Sequence, residues 1–289
     1  MALRMYSSII IFAALAQAIM PLESTPLIHQ TPFSMCPEEI PESCGGTTPL
    51  LDSCCYEDPS GVLILTQFWH YDPATGPSDR FTLHGLWSDH CDGTYDLFCN
   101  SLLNVVGGNI GNIVGEQHND QALLQKMNDS WKNFNGTDEL LWELEYNKHG
   151  TCINTNRPEC YGNGHTPDEH IYNYFKIAVA LDERYSSYRF LEAAGIVPSE
   201  TNTYTSAQIS EALRTNYDGH SVSIKCDNNS ALQEIWYFHH FKGPLISQNF
   251  VKIDSLSPSN CPSDGVKYLP KNFNVSTINE AGPCASIKS

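Results

Sequence analysis

The stretch SVSIKCDNNSALQEIWYFHHFKGPLISQNFVKI, Ser221–Ile253, decides the fold. It reads as three strands, SVSIKC at Ser221–Cys226, LQEIWYFHHF at Leu232–Phe241 and PLISQNFVKI at Pro244–Ile253, rich in β-branched and aromatic residues and parted by turn formers. The links between them are too short for crossovers, so neighbouring strands pair antiparallel. Toward the N-terminus, VLILTQFW at Val62–Trp69 is a buried strand. FTLHGLW at Phe81–Trp87 is a short one, with Phe81 and Leu83 on one face and Thr82 and His84 on the other. Gly85 beside His84 marks a close approach of backbone or ligand.

Helices fill the middle of the chain. Leu124, Met127 and Trp131 set a helical spacing over Gln121–Phe134. The next helix takes Thr137 as N-cap, carries Asp138 and Glu139 in its first turn, and ends with Lys148 and His149 before Gly150, placements that suit cap and dipole. Thr166-Pro167-Asp168-Glu169 reads as a capping box with Pro at the first helical position, opening a long helix past Leu181. A further helix spans Ala207–Tyr217, capped by Thr205 or Ser206. The glycine-rich VVGGNIGNIVG, Val105–Gly115, reads as a loop. Strands and helices are segregated, there is no internal repeat and no charge-rich linker, and the expected fold is α+β, a central largely antiparallel sheet flanked by helices.

Composition places this domain in an oxidising compartment. The N-terminus, MALRMYSSIIIFAALAQAIMP, has one Arg, a short apolar core and a small-x-small exit at Ala16-Gln17-Ala18, the form of a secretory signal peptide over residues 1–18. Its apolar core is too short to span a membrane, and no later run is apolar enough. Residues 19–35 read as a loose lead-in. Eleven cysteines follow, which in a secreted chain argues for disulfides; the odd count leaves at least one thiol free or paired with another chain. Sequons at Asn128, Asn135, Asn228 and Asn274 fit a glycoprotein. A net charge of −17 argues against a polyanionic partner at neutral pH, but eleven histidines would charge in acid and bring the balance toward zero.

Chemistry gathers in LLWELEYNKHGTC, Leu140–Cys152. On a helix Glu145 and His149 are i,i+4 neighbours with Lys148 beside them, and His84 of FTLHGLW can supply a second imidazole. One neutral imidazole takes a proton, a protonated one gives a proton, and an ammonium stabilises an anion, a set suited to cleaving a phosphodiester through an internal hydroxyl such as the 2′-OH of RNA. The plainer reading of Glu145, Lys148 and His149 is a solvated, salt-bridged helix end, and composition with spacing does not choose between the two.

FTLHGLW followed by SDHCDGTY, together with WELEYNKHGTC, resembles the two active-site segments of the ribonuclease T2 family, secreted acid ribonucleases of low base specificity, and the cysteine pattern is similar to that of the fungal members. TQFWHYDPATGPSDRF upstream is similar to the family's approach to the first segment. The resemblance implies a catalytic domain over 36–261 and a C-terminal tail over 262–289. It implies His84 as general acid, His149 as general base, Glu145 and Lys148 as stabilisers of the transition state, and Trp87, Asp89 and Tyr95 as base-contacting residues. It also implies the pairs Cys36–Cys55, Cys44–Cys91, Cys54–Cys160, Cys99–Cys152 and Cys226–Cys261, leaving Cys284 over. The chain departs from the family at Leu144, where His is common, at Tyr146, where Trp is common, and at Ser88, where Pro is common.

The resulting expectation is an endoribonuclease acting on single-stranded RNA through a 2′,3′-cyclic phosphate, monomeric, without cofactor or metal, not membrane-bound, and secreted or vacuolar. A weakly active relative that binds RNA or a protein partner is the alternative. A metal-dependent hydrolase would need a ligand cluster, and His165 with His170, or His239 with His240, lack ligand spacing.

Overall fold

The computed structural model describes residues 36–45, 53–162 and 165–272. The signal-like segment, the lead-in, Asn274 and Cys284 lie outside the described residues.

The fold is α+β, built on an antiparallel sheet. β1 (Val62–Phe68) pairs on one edge with β2 (Thr82–Asp89). Between this hairpin and the C-terminal strands lie α1 (Ile110–Asn112), α2 (Gln121–Ser130), α3 (Asp138–Lys148), α4 (Glu169–Arg184), α5 (Ser187–Ala193), the short β3 (Thr203–Tyr204) and α6 (Ser206–Thr215). β4 (Ser223–Cys226), β5 (Leu232–Phe241) and β6 (Phe250–Ile253) follow, and β7 (Val266–Lys267) pairs with β3 in a separate two-stranded sheet. β5 is the central strand, flanked on one side by β1 and on the other by β4 at its N-terminal half and β6 at its C-terminal half.

Alternation along β1 separates the two faces of the sheet. Leu63 and Leu65 enter the main core against the helices, while Val62 and Ile64 join Phe238 in a small cluster on the other face, beside Trp87 and Trp236. The functional residues stand on this second face.

Among the described residues, five disulfides join Cys36–Cys55, Cys44–Cys91, Cys54–Cys160, Cys99–Cys152 and Cys226–Cys261. Cys99–Cys152 ties the loop after β2 to the turn after α3, and the Phe98 N–H donates to Lys148 O at 3.0 Å alongside it.

Several boundaries differ from the sequence expectation. The glycine-rich segment holds α1 and a π-helical turn at Ile113–Gln117, because Ile110, Ile113 and Val114 bury on one side. Its backbone is held by a polar stripe on α3. Glu139 accepts from the N–H groups of Ile110 and Gly111, Glu143 from Gly108 at 2.8 Å, and Asn147 both accepts from Val105 N–H at 2.8 Å and donates to Val105 O at 2.7 Å. α2 stops at Ser130, four residues before Phe134. Thr137 stands at the N-cap of α3 without a side-chain bond to it, and α4 starts at Glu169, after Asp168 in the left-handed region (φ 59°) that Asp tolerates. The carboxylate half of the expected capping box is present, Glu169 accepting from the Thr166 N–H at 3.0 Å. At α6 both halves form, between Thr205 and Gln208. Of PLISQNFVKI only Phe250–Ile253 is strand; Leu245–Ser247 is a 3-10 turn. α5 has no counterpart among the helices expected from the sequence.

A β-bulge decides where the site forms. Thr66 faces Gly85 and Gln67 faces Leu83, so His84 is the extra residue of β2. Strict alternation would put His84 and Trp87 on opposite faces; the bulge puts both on the second face. The Trp131 indole donates to the displaced His84 carbonyl at 2.8 Å, and the Trp142 indole donates to Trp131 O at 2.9 Å, tying α3 to the bulge through two tryptophans. Trp131→Phe keeps the ring but orphans that carbonyl, and we expect a stability loss of about 1–3 kcal/mol in urea denaturation.

Candidate active site

Glu145 is the centre of the site. It lies one turn from the end of α3, 2% exposed, and its carboxylate points at the bulge of β2. A Cβ on Gly85 would sit 2.0 Å from Glu145 Oε2, so only glycine leaves room for the carboxylate, which accounts for the glycine beside His84. Glu145 Oε1 is 3.5 Å from His84 Nε2, and Oε2 is 4.0 Å from His149 Nε2 and accepts from the Trp87 indole at 2.8 Å. Burial pushes this carboxyl up, but the positive potential and hydrogen bond of His84, the charge of His149 and the Trp87 N–H outweigh it and hold the pKa at about 2. Glu145 is therefore an anion down into strong acid.

The two imidazoles differ in environment. His149 caps α3 and is 4% exposed, its ring stacked on Trp87 at 5.0 Å. Burial pulls its pKa down to about 3 despite the attraction of Glu145, with Lys148 and His84 pushing the same way. Both of its ring nitrogens are buried without a hydrogen-bond partner. His84 is more open, 18% exposed at the side chain, with its ring flat on Phe68 at 3.7 Å and its edge toward Trp87.

Beside them lies a cleft of about 510 Å³, lined by Trp87, Asp89, Tyr95, Lys148 and His149 among others. All five expected from the sequence at this end of the site thus share one space, and His84 and Glu145 adjoin it through Trp87. Asp89 is largely buried, and burial raises its carboxyl to about 7 against the lowering effect of His90. Asp89 thus offers a proton donor in acid and an acceptor above neutrality. Leu144 is 47% exposed and adds no polar group.

Sequence reasoning missed Phe68, Lys225, Glu234 and Trp236. Lys225 Nζ lies 4.4 Å from the Trp236 ring centroid and donates to Ser257 Oγ and Pro258 O, both at 2.8 Å, and with Trp236 it lines the cleft. The signal was available: Glu234, Trp236 and Phe238 alternate along LQEIWYFHHF onto one face. The other histidine pairs do not gather. His239 is buried between Leu63 O and the Tyr185 hydroxyl, whereas His240 on the opposite face pairs with Glu42 at 2.6 Å. Among the described residues no group of three or more His, Cys, Asp or Glu could hold a metal ion.

The family model of the ribonuclease T2 family matches residues 60–261, and the chain belongs to that family. It is 47% identical over 238 residues to a ribonuclease T2-like protein of Debaryomyces hansenii, covering 82% of this chain and 58% of the relative. It is 44% identical over 245 residues to ribonuclease T2 of Aspergillus oryzae, covering 85% and 87%. A crystal structure of Actibind, described as a T2 ribonuclease, superposes with a TM-score of 0.76 at 41% identity, covering 82% of this chain and 98% of that one. The chain spans 58% and 62% of the length of two ribonuclease T2-like relatives that it matches.

Gly85→Ala drives a methyl group into Glu145. We expect about 1–3 kcal/mol of destabilisation in denaturant titrations. A variant as stable as the parent would show that the carboxylate does not need the space.

Proposed function

We propose that the chain is an endoribonuclease that cleaves single-stranded RNA with low base specificity, by metal-independent transesterification to a 2′,3′-cyclic phosphate followed by hydrolysis to a 3′-phosphate. The observation that carries the reading is the Glu145 carboxylate held between two imidazoles of unlike burial, 3.5 Å from His84 and 4.0 Å from His149. The catalytic unit is taken as residues 36–261, together with the part of the 262–289 segment that packs on it, where β7 pairs with β3 and Val266 and Tyr268 are buried in the core.

His149, kept neutral by burial, takes the proton from the 2′-hydroxyl as the oxygen attacks phosphorus. His84, 3.5 Å from the Glu145 carboxylate, gives a proton to the departing 5′-oxygen. Glu145 balances the charge that moves onto His149, and Lys148 faces the dianionic phosphorane. In the second step His84 takes a proton from water and His149 returns one to the 2′-oxygen. Trp87 and Tyr95 offer π-faces to a base, a contact that tolerates any base, and Asp89 meets its polar edge. Asn128, Asn135 and Asn228 are exposed, as glycan attachment requires, the disulfides fit a secreted or vacuolar protein, and the chain is taken to act as a monomer.

Purified protein with the dinucleotide CpA, with and without EDTA, tests the reading. We expect a cyclic phosphate intermediate and EDTA-insensitive turnover. His149 must be free of its proton to act, and its pKa is held at about 3, so the acid limb of activity falls as pH drops through that region and not through the ordinary imidazole range. Absence of turnover would favour a role in binding alone, and inhibition by EDTA would overturn the metal-free mechanism. Leu144→His would add a charged donor beside Glu145, and a charge-assisted hydrogen bond of about 1.5–3 kcal/mol predicts kcat/KM higher by about tenfold or more. An unchanged kcat/KM would show that position 144 does not reach the phosphate.

A further inference from the structure

We propose that Glu234 is a positioning residue for His84, fixing which ring nitrogen carries the proton that is transferred; the catalytic consequence rests on the ribonuclease reading above. His84 is held on three sides. Its Nε2 meets Glu145, its face lies on Phe68 with an interplanar angle of 18°, and its Nδ1 is turned to the β5 side, 3.9 Å from Glu234 Oε2. Nδ1 is buried and has no hydrogen-bond partner, and Glu234 places a carboxylate within ion-pair reach of this otherwise orphaned nitrogen.

Glu234 reaches this place through the sheet. It pairs with Phe68 across β1 and β5, the same Phe68 on which His84 stacks, and the bulge turns His84 back over that pair. The Trp236 indole donates to Glu234 Oε2 at 2.6 Å, and Glu234 is 9% exposed, so the carboxylate is fixed rather than swinging in solvent. At 3.9 Å the contact is too long for a hydrogen bond and becomes an ion pair when His84 is protonated. With Nδ1–H aimed at Glu234, Nε2 is the nitrogen that exchanges its proton on the Glu145 side, where the phosphate is handled. An imidazole whose second nitrogen is held by a carboxylate keeps one tautomer and one ring orientation.

The other titratable groups facing His84 are Glu145 from α3, His149 at its end, and His70 just beyond β1. None of them approaches Nδ1 within ion-pair distance, so Glu145 does not duplicate Glu234.

Glu234→Gln keeps the shape and leaves an oxygen for the Trp236 indole. We expect kcat on CpA to fall by about tenfold or more, KM to change by less than about threefold, and the alkaline limb of the kcat profile to move to lower pH. The 15N shifts of the His84 ring, read on the free protein, should show the loss of the predominant Nδ1–H tautomer above the His84 titration. Glu234→Asp, which keeps the charge, should restore part of both signals. Unchanged 15N shifts in Glu234→Gln overturn the proposal, whatever the activity, as does an unmoved pH profile. If the parent protein does not cleave CpA the ribonuclease reading falls, and the 15N shifts alone decide whether Glu234 positions His84.

Discussion

A buried carboxylate cannot stand alone. Moving an ion of this size into the interior costs several kcal/mol even after relaxation, and the cost is met only when partners surround it. Glu145, 2% exposed, meets that requirement with two imidazoles and one indole. Each partner comes from a different local device: His84 and Trp87 from a bulged strand, His149 from the cap of the helix that carries Glu145 itself. The bulge, the glycine at 85 and the tryptophan tether of the His84 carbonyl all follow from placing one carboxylate against one strand.

The sheet and the helix give the site its precision. α3 presents Glu139, Glu143 and Asn147 on one side, holding the backbone from Val105 to Gly111, and Trp142, Glu145, Tyr146 and His149 on the other. Of the charged residues along this helix, Glu139 and Glu143 organise the glycine-rich segment, Asp138 holds Lys132 and the Asn133 N–H before the helix, and Glu145 organises the site. Cys99–Cys152 fixes the end of α3 against the loop that carries Tyr95, so both walls of the cleft are anchored at the same point.

Much of this was legible in the chain. β5 follows LQEIWYFHHF from end to end because a central strand buried on both faces has a long apolar run. The i,i+4 placement of Glu145 and His149 follows from helical geometry alone. The bulge at His84 was not legible, because a register shift is a property of the paired strands and FTLHGLW taken alone still alternates. Glu234 and Trp236 were missed for a related reason: their alternation was visible, but the neighbour on the same face, Phe68 with His84 above it, is set by pairing across 166 residues of sequence. The disulfide connectivity came from resemblance, since ten cysteines at these spacings allow many pairings.

Acid and base groups inside this fold oppose each other in their effect on stability. Burial depresses His70, His149 and His239 to about 3 and His170 to about 4, so each folds best without its proton, and the stability it contributes is present above the unfolded imidazole pKa and lost as pH falls toward the folded one. Burial raises Glu57, Asp89 and Asp182 to about 7, so their contribution is present below the unfolded carboxyl pKa and lost as pH rises through neutrality. Glu145, held at about 2, sides with the imidazoles, stabilising above the unfolded carboxyl pKa and losing that only in strong acid. Over the interval between the two sets of unfolded values the slopes have opposite sign and partly cancel. A neutral His149 loses stability as pH falls, and in the same window the buried carboxyls that prefer their protons contribute a slope of the opposite sign. The interior is thus divided, with His70, His170, His239 and Glu145 leaning with His149, and Glu57, Asp89 and Asp182 leaning against them.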